Sequence, residues 1–393
     1  MTDHDPMPVR EAGLRLRSGY HRVLDGHPWV FAGELESLPP DNEMTADLHD
    51  RQGRFLGRGL VNPGSQIVWR RYTHENVPFD DTLVHTRIVR AIESRRAAGY
   101  TDVCRLFWSE SDGIPGLVID SFGDILVVQA LTRLVDTCLN EIAGMLVDLL
   151  KPRCIVARND APVREYEGLA RETTILYGDL QPDETIHLQN IVFAIDPLHG
   201  QKTGLYLDQK EQYARVAAFA KGRTVLDVFC NQGAFGLIAA RAGAQSVTAV
   251  DSSQQAIQLA AANADRNGIP EYTPIVRNAF DYLREHRDQR WDMIILDPPP
   301  FAPSKRQLAG AVRGYKELNL RAAKLLSSGG ILATYSCSHH VDHETFTGIV
   351  REALADAGRT ARVLEYAHQP ADHPIVLHMP ESEYLRGMIL QLD

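Results

Sequence analysis

Cysteine is scarce in this sequence: five are spread over 393 residues, and no two stand in a C-x-x-C arrangement. Closely spaced cysteines are the usual signal of a structural zinc site or a disulfide framework, so this pattern argues against both. Scattered free cysteines are typical of proteins in a reducing compartment. We therefore predict a cytoplasmic protein without a metal site.

Long apolar runs are also lacking, because no stretch reaches the about 20 residues that a membrane-spanning helix needs. Residues 1–8 do not show the basic stretch and apolar core of a signal peptide. The sequence therefore gives no sign of a membrane partner. Its length, with 44% apolar and 23% charged residues, predicts an ordinary globular chain of two or three domains.

An excess of positive charge, the usual mark of a nucleic-acid binder, is absent as well. Asp and Glu outnumber Lys and Arg by 51 to 41, which leaves a formal net charge of −10. Overall charge therefore opposes non-specific RNA binding, and any RNA contact must rely on local basic clusters and on shape. Three clusters qualify: Arg15, Arg17 and Arg22; Arg87, Arg90, Arg95 and Arg96; and Lys305, Arg306 and Arg313, which follow Asp297.

The segment 224–251 is the first positive signal. A strand leads through a turn with Gly233 into a helix that runs to Arg241, and a second strand ends in Asp251. This order is typical of a nucleotide-binding βαβ unit, in which the glycine permits close approach of a ligand and the acid accepts ribose hydroxyls. The turn lacks the G-x-G-x-x-G spacing of dinucleotide sites. We therefore predict a cofactor with an adenosine but no phosphates, namely S-adenosylmethionine; an ordinary turn of an α/β protein is the alternative.

Further elements follow at regular spacing. A capping box at 252–255 predicts a helix over 256–267, and Gly329-Gly330 predicts a break before a later strand. Three more strands and a closing antiparallel pair are predicted at 272–277, 291–297, 331–336, 374–377 and 386–391. Alternating strands and helices predict an α/β fold with a doubly wound, mostly parallel sheet.

Two of these strands end in chemically distinctive residues. Asp297 opens the run Asp-Pro-Pro-Pro-Phe, and Cys337 follows the fifth strand. Because the ligand crevice of an open α/β sheet lies outside the carboxyl ends of its strands, both side chains are predicted to face one pocket. A carboxylate and a cysteine nucleophile suit attack on a pyrimidine ring. The alternative is that Cys337 is a small buried hydrophobic residue, as most free cysteines are.

The N-terminal third predicts a small β-barrel, because short strands at 14–17, 54–61 and 67–72 are joined by turns with Gly and Pro. Aromatic residues interleaved with its arginines suit base stacking beside phosphate contact: Trp29, Phe31, Trp69 and Tyr72. The alternative is a structural barrel whose aromatic residues are core. The region after it predicts a small α+β domain, with helices over 79–99 and 135–150, and indicates no catalytic chemistry.

These motifs resemble those of class I S-adenosylmethionine-dependent methyltransferases, and more narrowly the bacterial large-subunit ribosomal RNA cytosine-5 methyltransferases. The resemblance rests on the segment 202–210 (Lys-Thr-Gly-Leu-Tyr-Leu-Asp-Gln-Lys), the run 297–301 and Tyr-Ser-Cys-Ser at 335–338. It covers nearly the whole chain, although Pro300 stands where a lysine or another polar residue is expected. It implies three domains: an RNA-binding PUA-like barrel over 1–76, an α+β middle domain over 77–188 and a Rossmann-like methyltransferase domain over 189–393.

The resemblance also implies roles for individual residues. Cys337 and Asp297 are the expected catalytic residues. The residues expected to bind S-adenosylmethionine are Tyr206, Gln209, Asp227, Gly233, Phe235, Asp251, Ser252, Asn278 and Asp297. Large-subunit ribosomal RNA is the expected partner, and a homodimer stays open.

The expected mechanism follows from the weak nucleophilicity of cytosine carbon 5. Addition of the Cys337 thiolate to carbon 6 makes carbon 5 nucleophilic, while Asp297 hydrogen-bonds the ring near nitrogen 3 and the exocyclic amine. A base must then remove the carbon 5 proton, and the candidates are an ordered water, His339 and Glu344.

Two other functions compete with this one. Methylation of an exocyclic amine of guanine or adenine in ribosomal RNA uses a similar Asp-Pro-Pro-aromatic run and needs no cysteine. A non-catalytic RNA-binding protein could also retain the cofactor fold. The presence of Gly233, Asp251, Asp297 and Cys337 together favours an enzyme.

Overall fold

The computed structural model describes residues 13–301 and 305–393 of the chain. These residues form two compact units. The first unit contains residues 13–182, 196–205 and 371–382, and the second contains 183–195, 206–370 and 383–393. No helix in these ranges is both long and apolar enough to cross a membrane.

The first unit begins with β1 (Leu14–Arg15), α1 (His21–Leu24), β2 (Trp29–Phe31), β3 (Thr45–His49), β4 (Phe55–Val61) and β5 (Ile67–Thr73). The strands form one sheet in the order β1-β3-β4-β5-β2, and all neighbours except β1 and β3 are antiparallel. Trp69 is buried at its centre, and a Cβ atom on Gly59 would come within 2.3 Å of the Trp69 ring. The glycine therefore makes room for the largest side chain of this core.

The rest of the first unit is built from α2 (Asp81–Ala97), β6 (Val103–Trp108), α3 (Ser109–Asp112), β7 (Leu117–Phe122), β8 (Ile125–Ala130), α4 (Arg133–Thr137), α5 (Leu139–Leu150), β9 (Cys154–Asn159), α6 (Val163–Tyr166) and β10 (Glu172–Gly178). The strand order is β10-β9-β8-β7-β6, in which only β8 and β9 are parallel. The helix predicted over 135–150 is divided at Cys138. The sequence missed β10 because most of its side chains are exposed and show no apolar alternation.

The second unit begins with a hairpin of β11 (Thr185–Leu188) and β12 (Ile191–Ala194). Its other elements are α7 (Lys210–Ala217), β13 (Thr224–Val228), α8 (Ala234–Arg241), β14 (Ser246–Asp251), α9 (Gln254–Arg266), β15 (Tyr272–Val276), α10 (Ala279–Glu285), β16 (Trp291–Leu296), α11 (Leu308–Leu325), β17 (Leu326–Ser336), α12 (His343–Asp356), β18 (Ala361–His368) and β19 (Arg386–Leu392). The strand order is β15-β14-β13-β16-β17-β19-β18. The first five strands in that order are parallel and β19 is antiparallel to both of its neighbours, so the predicted α/β class is confirmed.

Two predicted details of the second unit are wrong. The side chain that caps α9 is Ser253, which accepts a hydrogen bond from the N–H of Ala256, and not Ser252. Residues 374–377 form no strand and belong to the first unit. β19 pairs instead with β17 and with β18, an edge strand whose largely exposed side chains concealed it in the sequence. The predicted break at Gly329-Gly330 occurs inside β17 as a shift in its register with β16.

Candidate active site and cofactor site

The carboxyl ends of β13, β14, β16 and β17 lie at one edge of the second unit's sheet. The chain reverses its direction of strand addition between β13 and β16, which is where an open α/β sheet forms its ligand crevice. Asp251 ends β14, Asp297 directly follows β16 and Cys337 directly follows β17. The topology thus brings these predicted site residues to the same end of the sheet.

The turn after β13 is tightly wound. Phe229 (φ 65°), Asn231 (φ 47°) and Gly233 (φ 89°) have left-handed backbone conformations, which are strained for residues with a side chain. Every N–H from residue 229 to residue 233 donates within the protein, to Val250 O (twice), Asp251 Oδ2, Asn231 Oδ1 and Cys230 O. A phosphate site needs backbone N–H groups that point at the ligand. This turn offers no such cradle, which agrees with a cofactor that lacks phosphates.

Gly233 is required by its protein neighbours. A Cβ atom at this position would lie 2.5 Å from the hydroxyl oxygen of Tyr272, and the φ of 89° disfavours any other residue. The sequence assigned this glycine to close approach of a ligand. The structure adds a packing reason, because Tyr272 on β15 fills the space beside the turn.

Asp227, inside β13, is buried with 1% of its surface exposed. Its Oδ2 accepts a 2.9 Å hydrogen bond from the N–H of Gly236 in the first turn of α8, whereas its Oδ1 has no hydrogen-bond partner among the described residues. Burial raises the pKa of Asp227 to about 7; the Gly236 N–H lowers it, and the carboxylates of Asp297 and Asp251 raise it. Asp227 Oδ1 is therefore able to accept a hydrogen bond from a ligand or to contact a positive charge on it.

The Asp251 carboxylate joins two turns. Its Oδ2 accepts a 3.0 Å hydrogen bond from the N–H of Asn231, and its Oδ1 accepts one of 2.9 Å from the N–H of Ser253. A carboxylate oxygen can accept a second hydrogen bond, so the group retains capacity for ribose hydroxyls. Ser252 is exposed in the same turn.

The segment 202–210, on which part of the family resemblance rests, contacts Asp297 at the end of β16. Gln209 is buried in the short 3₁₀ turn Leu207–Gln209, and its Nε2 donates a 2.9 Å hydrogen bond to Asp297 Oδ1. The hydroxyl of Tyr213 on α7 donates to the carbonyl of Tyr206 at 2.9 Å. Two of the predicted cofactor residues, Gln209 and Asp297, are therefore in direct contact.

Two predicted cofactor residues also have roles within the protein. Phe235 is buried, with its ring stacked on Tyr335 at a centroid distance of 5.4 Å. The side-chain oxygen of Asn278 accepts hydrogen bonds from the N–H groups of Phe280 and Asp281, and so caps α10. Core packing and helix capping account for the presence of these residue types here.

Cys337 is half-buried at the end of β17. Leu296 on β16 pairs with Thr334 on β17, so Asp297 and Cys337 leave neighbouring parallel strands within a few residues of that pair. The strand order thus places the two residues at the same end of neighbouring strands.

Tyr315 on α11 supports both loops, and sequence reasoning missed it. Its hydroxyl is 2.9 Å from the hydroxyl of Ser338, the residue after Cys337, and its ring packs on Phe301 with a centroid distance of 4.8 Å. Tyr315 is fully buried. Its position in an ordinary amphipathic helix gave no signal of this role.

A second set of contacts lies beside Cys337. The ring of His339 is 5.8 Å from that of Tyr384, whose hydroxyl donates a 3.0 Å hydrogen bond to Asp208 Oδ2. Asp208 is buried in the same 3₁₀ turn as Gln209. Glu344, the other candidate base, is exposed in the first turn of α12.

Acidic groups dominate this end of the sheet. Burial raises the pKa of Tyr213 well above its usual value, and the carboxylates of Asp208, Asp297 and Asp227 raise it further, so all three carboxylates lie near this tyrosine. Such a site repels a phosphate and favours a cation. S-adenosylmethionine carries a sulfonium, an ammonium group and donor hydroxyls on its ribose, so the residues fit it. No group of side chains in the described ranges could hold a metal ion.

The barrel aromatics divide into two classes. Trp69 and Tyr72 are buried in the core, so their predicted contact with RNA bases is wrong. The indole N–H of Trp29 donates to Glu110 Oε1 at 2.7 Å. Phe31 is 39% exposed, with the Arg22 guanidinium 5.0 Å from its ring centroid. Of the four aromatic residues, Phe31 is the one open to a base.

Several arginines of the predicted basic clusters are neutralised. Arg22 pairs with Glu34 at 2.7 Å, and the buried Arg95 pairs with Asp112 at 2.6 Å. The exposed members are Arg15, Arg17, Arg90, Arg96, Arg306 and Arg313. Local positive charge for RNA is therefore smaller than the sequence suggested.

Comparison with known protein families gives one match in the first unit and one in the second. A family model described as a PUA-like domain matches residues 16–74, and one described as a methyltransferase domain matches residues 219–368. The ribosomal RNA large subunit methyltransferase I of Tolumonas auensis is 39% identical over 94% of this chain and 96% of its own length. The protein of the same name from Shewanella denitrificans is 40% identical over 96% of this chain and 99% of its own.

Solved structures share the fold. One described as a SAM-dependent methyltransferase from Streptococcus mutans gives a TM-score of 0.82 at 21% identity, covering 96% of this chain and 99% of that one. The tRNA m1G37 methyltransferase of M. jannaschii gives 0.52 at 17% identity, covering 71% of this chain and 76% of that one. At such identities the likeness concerns the fold alone.

We predict that Asp227→Asn stabilises the protein at mildly alkaline pH and weakens its binding of S-adenosylmethionine. Burial raises the folded-state pKa from 3.8 to about 7, so between these values the folded protein binds more protons than the unfolded chain and loses stability as the pH rises. Above the folded-state pKa the buried charge costs up to about 4 kcal/mol, which the amide avoids. Urea unfolding across this pH range measures the gain, and calorimetric titration measures the affinity.

The matched control is Asp265→Asn, which removes an exposed acid of α9 and should leave both quantities unchanged. Equal pH dependence of the unfolding free energy in wild type and Asp227→Asn would contradict the prediction.

Proposed function

Because the chain belongs to the ribosomal RNA large subunit methyltransferase I family, we propose that it methylates large-subunit ribosomal RNA with S-adenosylmethionine as the methyl donor. The observation that carries the proposal is that a turn without a phosphate cradle after β13 and a half-buried cysteine after β17 lie at the same end of the sheet, with β16 and Asp297 between them. Such a substrate places the enzyme in the cytoplasm.

S-adenosylmethionine, when bound, supplies a methyl group activated by a sulfonium. Asp251 offers acceptors for ribose hydroxyls, and Asp227 offers its buried open oxygen to a donor or cation. Gln209 orients Asp297 through their hydrogen bond. The full set that would hold the cofactor is Tyr206, Gln209, Asp227, Gly233, Phe235, Asp251, Ser252, Asn278 and Asp297.

We propose that the chain is organised as an RNA-binding barrel over 1–76, a middle domain over 77–188 and a catalytic domain over 189–393. The exposed Phe31 with its neighbouring Arg22 is the best-supported base-stacking position of the barrel. A net charge of −10 leaves little attraction for non-target RNA, so stacking and shape would provide much of the recognition.

The proposed target atom is carbon 5 of a cytosine. The Cys337 thiolate forms a bond to carbon 6, and the carbon 5–carbon 6 π pair moves to the carbon 4–carbon 5 bond. The carbon 4–nitrogen 3 π pair moves onto nitrogen 3, which takes up a proton within hydrogen-bond reach of Asp297 and gives it up again when the ring is restored. Carbon 5 then uses that pair to accept the methyl group. Removal of the carbon 5 proton re-forms the ring double bond and expels the thiolate. The base must be flipped or single-stranded to reach the strand ends.

We propose His339 as the residue that takes up the carbon 5 proton. It stands two residues after Cys337 and packs on Tyr384, which Asp208 holds through a hydrogen bond. His339 and Glu344 are both exposed, and the packing of His339 on Tyr384 is the observation that favours the histidine.

Cys337→Ala should abolish methyl transfer to ribosomal RNA while leaving the affinity for S-adenosylmethionine nearly unchanged, because the covalent bond to carbon 6 is lost and the cofactor residues are intact. Transfer of labelled methyl groups to RNA and calorimetric titration measure the two effects. Wild type should also form a complex with 5-fluorocytidine RNA that survives denaturing electrophoresis, since fluorine cannot leave as a cation.

Cys138→Ala, which removes a half-buried cysteine of the first unit, serves as the control and should keep full activity. An active Cys337→Ala enzyme, or an active wild type without the 5-fluorocytidine complex, would exclude carbon 5 chemistry and point to methylation of an exocyclic amine.

His339→Ala should lower turnover by roughly 10²- to 10⁴-fold, the usual contribution of a general base. Because methyl transfer precedes proton removal, enzyme covalently bound to RNA that contains ordinary, now methylated, cytosine should accumulate in this variant and not in wild type. Denaturing electrophoresis with labelled RNA detects it. Glu344→Ala is the control, and normal turnover of His339→Ala without accumulated complex would assign the proton to another acceptor.

Phe31→Ala should weaken binding of the target RNA roughly 5- to 150-fold, because stacking of one base on an aromatic ring contributes about 1–3 kcal/mol. Filter binding at fixed salt measures the affinity. Leu38→Ala, which shortens an exposed apolar side chain of the same region, is the control. Equal affinities of the two variants would remove Phe31 from the RNA-binding surface.

A further inference from the structure

Buried and half-buried side chains alternate where β17 ends. Ser336 and Ser338 are fully buried, whereas Cys337 between them is half-buried. A buried hydroxyl needs a hydrogen-bond partner inside the protein. The backbone N–H of Ser338 donates to Ser336 Oγ at 3.3 Å, so one contact of this pair lies within the loop itself. The other contacts come from a helix.

The hydroxyl of Tyr315 on α11 is the partner that both serines share. It lies 2.9 Å from Ser338 Oγ, and it also forms a hydrogen bond with the side chain of Ser336. Burial raises the pKa of this hydroxyl, the hydrogen bonds with the two serines lower it, and the nearby Cys337 raises it. One phenol therefore contacts the residues on both sides of Cys337.

The residue before Ser336 faces a different helix. Tyr335 stacks on Phe235 of α8, whereas the two serines contact Tyr315 of α11. Side chains alternate between the two faces of a strand, and the contact of Ser338 with α11 shows that this alternation continues beyond the last residue of β17. The position between the two serines therefore belongs to the α8 side.

Tyr315 also contacts the run that follows Asp297. Its ring packs on Phe301 at a centroid distance of 4.8 Å, and its hydroxyl forms a hydrogen bond with the backbone of Phe301. Gly314 leaves space for this packing, since a Cβ atom there would lie 3.2 Å from the Phe301 ring. Tyr315 is itself fully buried in the core cluster of the second unit. A core side chain thus contacts both loops that carry the proposed catalytic residues.

We propose that Tyr315 is a positioning residue for the attack of Cys337: its hydroxyl holds the two flanking serines on the α11 side of β17 and so keeps the sulfur on the other side. This role rests on the proposed function, in which Cys337 is the nucleophile. Attack on carbon 6 requires the sulfur to lie about 3–3.5 Å from that carbon, and a misplacement of about 1 Å costs roughly 100-fold in rate. Tyr315 keeps its proton throughout and acts only through its hydrogen bonds.

Tyr315→Phe removes the hydroxyl and keeps the ring that packs on Phe301. Its turnover of ribosomal RNA should fall roughly 10- to 100-fold, because the sulfur is less well placed, while the KM for RNA and the affinity for S-adenosylmethionine stay within about twofold of wild type. Formation of the covalent complex with 5-fluorocytidine RNA should slow by the same factor. Steady-state kinetics, calorimetric titration and denaturing electrophoresis measure these quantities.

The matched control is Tyr282→Phe, which removes the hydroxyl of another tyrosine buried in the same core cluster and should keep the wild-type rate. Wild-type turnover by Tyr315→Phe would overturn the proposal. An equal loss in both variants would do the same, because it would show that any buried hydroxyl of this core has the effect.

Alkylation by iodoacetamide tests the position of the thiol without methyl transfer, because this small reagent reacts with Cys337 whatever the role of that residue. Loss of the hydrogen bonds to the serines should let the loop open. Cys337 should therefore be alkylated roughly 3- to 10-fold faster in Tyr315→Phe than in wild type, although turnover is slower. The buried Cys230 would report general unfolding, and it should stay equally unreactive in both proteins. Mass spectrometry of the two peptides measures both rates.

The two ways of failing are distinguishable. Unchanged alkylation of Cys337, or faster alkylation of Cys230 as well, would exclude positioning by Tyr315 and would leave the nucleophile assignment intact. Activity of Cys337→Ala would instead exclude the proposed function, and with it any role of Tyr315 in thiol addition.

A double-mutant cycle tests whether a serine transmits the effect. Ser338→Ala should also slow turnover, because it breaks the same 2.9 Å contact with Tyr315. The double variant Tyr315→Phe with Ser338→Ala should be at most about twofold slower than Tyr315→Phe alone, since residues that share one interaction are not additive. Ser328→Ala, at an exposed position of β17, is the control and should have no effect. Losses that multiply in the double variant would show that the two residues act independently and would overturn the proposal.

Discussion

The proposed cofactor site at the carboxyl ends of the second unit's parallel strands depends on the buried carboxylate of Asp227. One of its oxygens fixes the first turn of α8 through the Gly236 N–H, and the other has no partner among the described residues. Burial and the neighbouring carboxylates raise its pKa to about 7, so an ionised Asp227 destabilises the fold. In the proposed cofactor site, a cation at the open oxygen offsets that cost.

In the turn between β13 and α8, the backbone N–H groups of residues 229–233 all donate hydrogen bonds within the protein. Its N–H groups bind the Val250 carbonyl, the Asp251 carboxylate and oxygens of the turn itself, which requires strained conformations at Phe229 and Asn231. A turn whose donors are all used cannot hold a phosphate, but it can place acceptors at the strand ends. Acceptors suit ribose hydroxyls and a sulfonium.

In the first unit, charge and aromatic content are used largely for internal structure. Arginines that would have contributed a basic surface pair with Glu34 and Asp112, and Trp69 fills the barrel core. Of the four barrel aromatics considered for RNA contact, Phe31 is the most exposed, and it lies beside Arg22. An exposed ring next to a cation suits stacking on a base.

The sequence by itself determined the α/β class, the turn at Gly233 and the two strand ends with Asp297 and Cys337, because these are local patterns of apolar runs that end in distinctive residues. It also indicated the family, through motifs that stay recognisable without knowledge of contacts. It did not determine the supporting residues Tyr315 and Tyr384, the strands β10 and β18, or which barrel aromatics are core. Those depend on contacts between residues far apart in the chain, and exposed outer strands lack the apolar alternation that local patterns detect. Only the tertiary structure decides them, because burial and strand order are properties of the packed chain.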